Sequence, residues 1–539
     1  MKHRSYAYGL NHWLLEPDLC HILKLYWDDY SNHEQELSQF GILAGGKAYE
    51  IADYVDRTAS PIFVMHNLDG ERVDQIRLNP AQSDLLQQLA WINRSPYEGG
   101  SWHHHFALGF LLADPGLYCT LTVTNQTVHA IYKYAPEHNA WIEPLLSGSA
   151  WGATWMTETQ GGSDLGANLT LARRENGDWK LYGEHKYFAS NVGLADLALV
   201  TARPEGGQPG PKGIALFLVP RLNSEGNLNF LLRRLKEKSA TRAVPTGEVE
   251  FPGSQAYLVG EMSEGIYYTL ENLTVSRLAN SIGAMGLSRK AHLEALMRVH
   301  ARSAFNKRLI EHPLVRWDLT DLEVRNAAGL SLVFRAIQQF DEAWKERPPY
   351  DISYHYARFL SHLAKNRTAE HAAESTRLVM ELFGGLGFMD ECVVSRLHRE
   401  ALVTAIWEGT SNIQSLDMLE AMHKKGAHEP FLDEFNPLLI KLNLPEARLA
   451  QRTIETVLSD LSASQYEEAQ WRSKASLQKL ADATQVALLF NLAEKFGDRY
   501  AKLATLYANH FLRGDPYPNW VMEDRDIWDP LPQETYAVD

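Results

Sequence analysis

The chain has 539 residues, enough for several domains at roughly 100–200 residues each. Its composition, 45% apolar, 22% charged and 10% aromatic, excludes disordered and collagen-like classes. With 52 Lys and Arg against 67 Asp and Glu, the net charge of −15 gives no global attraction for nucleic acid or an anionic membrane.

Cys20, Cys119 and Cys392 lie far apart, which argues against a disulfide framework or a cysteine zinc site and fits a reducing cytoplasm. The start, Met1-Lys2-His3-Arg4, leads into no apolar targeting segment, and no apolar run approaches the ~18 residues of a membrane span. The expected location is cytoplasmic.

Residues 1–150 read as helix and loop without a strand meander. Helical patches fall at 85–90 and 106–112, whereas an extended start, with Pro17, Gly41 and Gly45-Gly46, gives residues 1–50 no clear assignment. From 151 the pattern becomes that of a small all-β domain reaching about residue 265. Strands are expected at 167–174, 179–188, 195–202, 213–219 and 247–251. Asn176-Gly177 between the first two is a hairpin signal, because both turn residues need positive φ.

Residues 266–425 read as helical. Leu270, Leu273, Leu278, Ile282, Met285 and Leu287 recur near a 3.6 period, and Gly384-Gly385 stops a helix at 383. Ser411-Asn412-Ile413-Gln414 reads as a capping box opening another. Residues 426–539 form a helical extension, with helices expected at 486–500 and 503–511 and a Pro- and Trp-rich wrapping tail from 513. The class is therefore α+β and multi-domain, in the order α, β, α and α extension.

Three motifs carry chemistry. Met156-Thr157-Glu158-Thr159-Gln160-Gly161-Gly162-Ser163-Asp164 joins hydroxyls to glycines that admit a ligand close to the backbone, with Ser163 and N–H groups available to an anion. The same residues fit a strand followed by a tight turn. Lys186-Tyr187-Phe188-Ala189-Ser190-Asn191 places aromatics beside a hydroxyl, suited to flank a planar ring, though half-buried strand aromatics are common. Trp407-Glu408-Gly409-Thr410-Ser411-Asn412 puts a carboxylate next to an indole whose desolvation favours a raised pKa and a general-base role. A helix-start glutamate is the alternative.

These motifs, with Phe383-Gly384-Gly385-Leu386-Gly387-Phe388, resemble in order and spacing the flavin-dependent acyl-CoA dehydrogenase family over about residues 90–423. The form of the first motif, Arg77-Leu78-Asn79-Pro80, Trp407 and the long extension resemble its AidB-like branch. The resemblance implies an N-terminal helical domain, a middle β-barrel and a C-terminal four-helix bundle, with FAD between barrel and bundle.

By the same resemblance, Met156, Thr157, Phe188 and Ser190 would contact the isoalloxazine, and Gly162 and Ser163 the pyrophosphate. Thr410 and Asn412 would meet the FAD nearer its adenosine end. Arg302 and Phe305 would reach the FAD of a neighbouring subunit, with Gly384 and Gly385 letting the loop approach it, which implies a homodimer or homotetramer. Glu408 would take the α-proton of an acyl thioester such as acyl-CoA, with Arg277 beside it, while the β-hydride passes to flavin N5. An electron acceptor such as an electron-transfer flavoprotein is implied.

Departures are Ala304, Pro313 and Glu381, where FAD contacts common in the family are changed, and Thr274, where an acid that would meet CoA is absent. The AidB likeness implies as an alternative a DNA-associated protective flavoprotein with little or no turnover. Against that, residues 426–539 hold 11 Lys and Arg but 18 Asp and Glu, a balance unsuited to phosphate contacts. A flavin-retaining binding protein is a third reading. His103-His104-His105 suggests metal, but adjacent helical histidines point about 100° apart, so no metal is expected.

Overall fold

The computed structural model describes residues 1–536 and divides them into two units. One holds residues 1–50, 101–114 and 277 onward; the other holds 51–100 and 115–276.

The first segment is helical where an extended start was expected: α1 (Pro17–Tyr26), α2 (Tyr30–Gly45) and α3 (Lys47–Thr58). Gly41 and Gly45 do not break α2. They let it pack, since a Cβ on Gly41 would lie 2.3 Å from Asn11 Oδ1 and one on Gly45 2.0 Å from the Leu10 carbonyl. A hairpin follows where no strand was expected, β1 (Ile62–His66) against β2 (Arg72–Arg77), turning through Asn67-Leu68-Asp69-Gly70. Helix α4 (Pro80–Leu89) starts with the Asn79 side chain accepting from the Ala81 N–H and proline in the first turn. Helix α5 (Trp102–Leu112) is buried on every face, its three histidines included, and is capped by Ser101. Helices α6 (Pro115–Tyr134) and α7 (Ile142–Ser147) complete this part.

The β domain comprises β3 (Gly152–Trp155), β4 (Leu171–Glu175), β5 (Asp178–Ser190), β6 (Leu197–Pro204), β7 (Ala215–Pro220), β8 (Leu231–Leu235) and β9 (Thr246–Leu258). Asn176 (φ 52°) and Gly177 (φ 95°) make the expected two-residue turn, with Glu175 opposite Asp178. Residues 167–170 precede β4 rather than belonging to it. The hydrogen-bonded circuit β6–β4–β5–β9–β7–β6 closes on itself, which removes sheet edges. Strand β3 adds to β6 and β8 to β9. Trp155, Leu181, Val200, Phe217, Val249 and Phe251 fill the interior.

Helix α8 (Gly265–Ala301) carries the division between units, after Ser276. A short hairpin, β10 (Ser303–Ala304) with β11 (Lys307–Arg308), follows it. Then come α9 (Pro313–Ala343), α10 (Ile352–Phe383), α11 (Val393–Thr404) and α12 (Ser411–Lys425). The extension supplies α13 (His428–Leu442), α14 (Pro445–Ala463), α15 (Tyr466–Phe496) and α16 (Asp498–Tyr507). Gly497 (φ 101°) breaks what the sequence reads as one helix over 486–500.

The extension is bound into its unit through ion pairs. Arg335 meets Glu434 at 2.6 Å, Arg367 meets Asp482 at 2.6 Å, and Arg499 meets Asp18 at 2.8 Å and also Glu323. In its tail, which forms short helical turns, the Tyr517 hydroxyl donates to Asp321 and Asp529 faces His300. Among the described residues, no helix is long and apolar enough to cross a membrane.

Candidate active site

In the β-containing unit, the loop after β3 is pinned by a buried ion pair. Glu158 lies 3.0 Å from Lys186 of β5, and both side chains are fully buried. Glu158 also accepts from the Leu169 and Thr170 N–H groups, the Thr170 hydroxyl and the Gln160 amide. Burial opposes its ionisation, but Lys186 and these donors outweigh that and hold its carboxyl at about 2. Glu158 and Gly161 exchange backbone hydrogen bonds, so the tight turn and the ligand loop are the same object.

Glu158 being spent on structure, the loop presents other groups outward. Among the described residues, the Thr157 and Ser163 hydroxyls make no hydrogen bond. Ser163 and Gly162 are exposed, and Gly162 is needed for closeness: a Cβ there would fall 2.8 Å from Thr157 Oγ1. The Tyr187 N–H donates to the Thr157 carbonyl, and the Trp155 indole to the Ser190 carbonyl. Thr157, Phe188 and Ser190 are thereby brought together. Phe188 is 52% exposed. The Ser190 hydroxyl donates to the Thr154 carbonyl, and Met156 is buried against Leu165 and Ile266.

In the other unit, Glu408 sits between α11 and α12 with φ 58°, followed by Gly409 at φ 98°. A non-glycine residue in this region carries strain that its surroundings must maintain. Here the restraints are explicit. Arg277 Nε donates to the Glu408 carbonyl at 3.2 Å, and Gln414 Nε2 donates to the Glu408 and Gly409 carbonyls at 2.9 and 3.0 Å. Lys365 of α10 donates to the Gly409 carbonyl as well. Burial pushes the Lys365 ammonium down to about 7, against the attraction of Glu408.

The capping box does not form. Thr410 is the N-cap without a side-chain bond, Gln414 faces the Glu408 turn, and the Ser411 hydroxyl accepts from Asn366. Thr410 and Asn412 are exposed, and among the described residues their side chains make no hydrogen bond. Arg277 Nη2 also lies 3.0 Å from Asp417 of α12. Sequence reading missed Lys365, Asp417 and the structural role of Glu158. Only Glu158 carried a local signal, through its place in the first motif.

Arg302, Phe305, Gly384 and Gly385 form a different group at the ends of α8 and α10. Phe305 has φ 50° and is 90% exposed, and Gly384 has φ 62°. Arg298 Nη2 donates to the Phe383 carbonyl and ties the two ends together. At 1.5 Å per residue, about 36 Å of helix separates Arg277 from Ala301. Within one chain, Arg302 and Glu408 therefore do not serve one small-molecule site.

Comparison with known proteins fits this arrangement. Residues 6–149 match the family described as adaptive response protein AidB N-terminal domain, 153–253 the acyl-CoA dehydrogenase middle domain, and 263–423 the acyl-CoA dehydrogenase C-terminal domain. The putative acyl-CoA dehydrogenase AidB of Escherichia coli K12 is 31% identical over 398 residues, 69% of this chain and 71% of that protein. The structure of Bd2924 in its apo form is 26% identical, with a TM-score of 0.81 over 91% of this chain and 99% of that one. Caenorhabditis elegans ACDH-11, solved with C11-CoA, shares the fold with a TM-score of 0.83 at 24% identity, over 97% and 96% of the two chains. With AidB-type sequence in its first segment and acyl-CoA dehydrogenase sequence through its middle and C-terminal domains, the chain belongs to the acyl-CoA dehydrogenase family, in its AidB-like branch.

Proposed function

We propose that the protein is an FAD-dependent oxidoreductase that dehydrogenates an acyl thioester of the acyl-CoA class, with Glu408 as the base. The observation that carries this reading is the Glu408–Gly409 turn, whose carbonyls are fixed by Arg277, Gln414 and Lys365. A base acting on a weakly acidic α-carbon must be held at one position, because misplacement of about 1 Å costs roughly a hundredfold.

The residues fit a flavin. Thr157, Ser163, Thr410 and Asn412 hold polar groups in reserve, Gly162 keeps the loop close, and Phe188 offers an exposed aromatic face. In the β-containing unit, Thr157, Ser163, Phe188 and Ser190 would hold the cofactor. FAD supplies the hydride acceptor when bound.

Glu408 takes the α-proton on its carboxylate. The Glu408 backbone N–H would polarise the thioester oxygen, a type of contribution commonly worth about 3–4 kcal/mol. Arg302, Phe305, Gly384 and Gly385 would serve the cofactor of a second copy of the chain, consistent with their distance from Glu408 along α8. An electron-transfer flavoprotein is the class of acceptor we assign. Anaerobic addition of acyl-CoAs of graded chain length to the yellow protein tests the reading. One that bleaches the flavin supports it, and none doing so with a dithionite-reducible flavin present refutes it.

A further inference from the structure

The histidine run was read from sequence as unable to converge on a metal, and within α5 that geometry holds. Converging partners come instead from α2. His33, Glu36 and His104 each place a ligand atom within 4.8 Å of the others. His104 is buried on α5, whereas His33 and Glu36 are half-buried, so the cluster opens to solvent on one side.

Each imidazole already faces an anion. His104 Nε2 is hydrogen-bonded to Glu36, and His33 Nε2 lies 3.1 Å from Asp29. The two imidazole rings are 4.5 Å apart, and Trp27 stacks on both, at 4.8 Å from His33 and 5.3 Å from His104. The stacking restricts the ring planes and preorganises them. Ligands bound tetrahedrally at 2.0–2.1 Å stand about 3.3 Å apart, so closure from separations of up to 4.8 Å needs shifts of up to about 1.5 Å, within side-chain reach.

We infer that His33, Glu36 and His104 form a site for a divalent transition ion of the Zn²⁺ type, clamping α2 to α5. Two imidazoles and a carboxylate suit such an ion, leaving one position for water on the open side. With His33 Nδ1 on the ion, Asp29 at Nε2 would be the outer carboxylate that metal-bound imidazoles commonly keep. The site uses none of the residues assigned to the flavin or the thioester.

The test is calorimetric titration of Zn²⁺ into untagged, FAD-loaded full-length protein after dialysis against chelator. The expected result is one ion per chain at micromolar Kd or tighter, with melting raised by about 3 °C in excess Zn²⁺. His104→Ala should abolish binding. Because His104 is buried, the double variant His33→Ala/Glu36→Gln, made at half-buried positions and removing two of the three ligands, is the parallel test and should also abolish saturable binding. Absence of saturable binding to the wild type, or unchanged affinity in the folded double variant, overturns the proposal.

Discussion

The Arg277 guanidinium links the Glu408 carbonyl, 3.2 Å from Nε, to the Asp417 carboxylate, 3.0 Å from Nη2. One side chain thus holds a strained turn in place and is itself held by an acid contributed 140 residues downstream. Asp417 is a positioning residue. Asp417→Asn should lower kcat by roughly ten- to a hundredfold through a looser Glu408 turn, with FAD content unchanged. Stopped-flow flavin reduction, with the flavin-to-protein ratio as control, separates lost positioning from lost cofactor.

The Glu158–Lys186 pair anchors the loop that carries Thr157 and Ser163. Removing one member of a buried pair typically costs about 3–5 kcal/mol, and Glu158→Gln should destabilise the protein by that amount near neutral pH. The folded-state pKa of about 2 lies below the ordinary value of 4.5. The stabilisation is therefore complete above about pH 4.5 and is lost as pH falls toward 2, so wild type and variant should converge over that interval. Urea denaturation across pH measures the difference directly.

Gly162 closes that loop on Thr157. In Gly162→Ala, the added methyl meets Thr157 Oγ1 at 2.8 Å and Cγ2 at 2.9 Å, so the Thr157 side chain or the loop must shift. Overpacking of this kind costs about 1–3 kcal/mol, equivalent to a loss of about ten- to a hundredfold in FAD affinity. Fluorescence titration of the apoprotein with FAD measures it, with far-UV circular dichroism showing an unchanged fold.

Lys365 supplies a pH dependence. Its ammonium is pushed down to about 7, so it is charged below that pH and neutral above it. Charged, it favours the Glu408 carboxylate and makes it a weaker base; neutral, it withdraws that stabilisation. The rate of flavin reduction should rise with pH through about 7, and Lys365→Met should flatten the limb. A limb retained in the variant would assign it to another group.

The parts of the site legible in the sequence were those carried by short loops. Asn176-Gly177 predicted its hairpin because the turn demands positive φ at both residues, and the turn does so locally. The Glu408-Gly409 junction was singled out for its carboxylate beside Trp407, not for the positive φ that both residues adopt. Features that depend on residues far apart were not legible. Gly41 and Gly45 read as breakers because their packing partners, Asn11 and Leu10, lie a helix away. The run Leu231-Leu232-Arg233-Arg234-Leu235 lacks strict alternation because β8 slips register between Leu232 and Arg234. Gln414 read as a capping residue, but tertiary hydrogen bonds to the Glu408 turn took its amide.

The central claim is that Glu408 removes the substrate proton, and the most direct measurement compares wild type with Glu408→Gln under anaerobic conditions. Both FAD-loaded proteins are mixed with the acyl-CoA that bleaches the wild type, and flavin absorbance is followed. The account predicts full FAD content in the variant and reduction slowed by about a hundredfold or more, the usual scale for a lost general base. Reduction of the variant at the wild-type rate would contradict it.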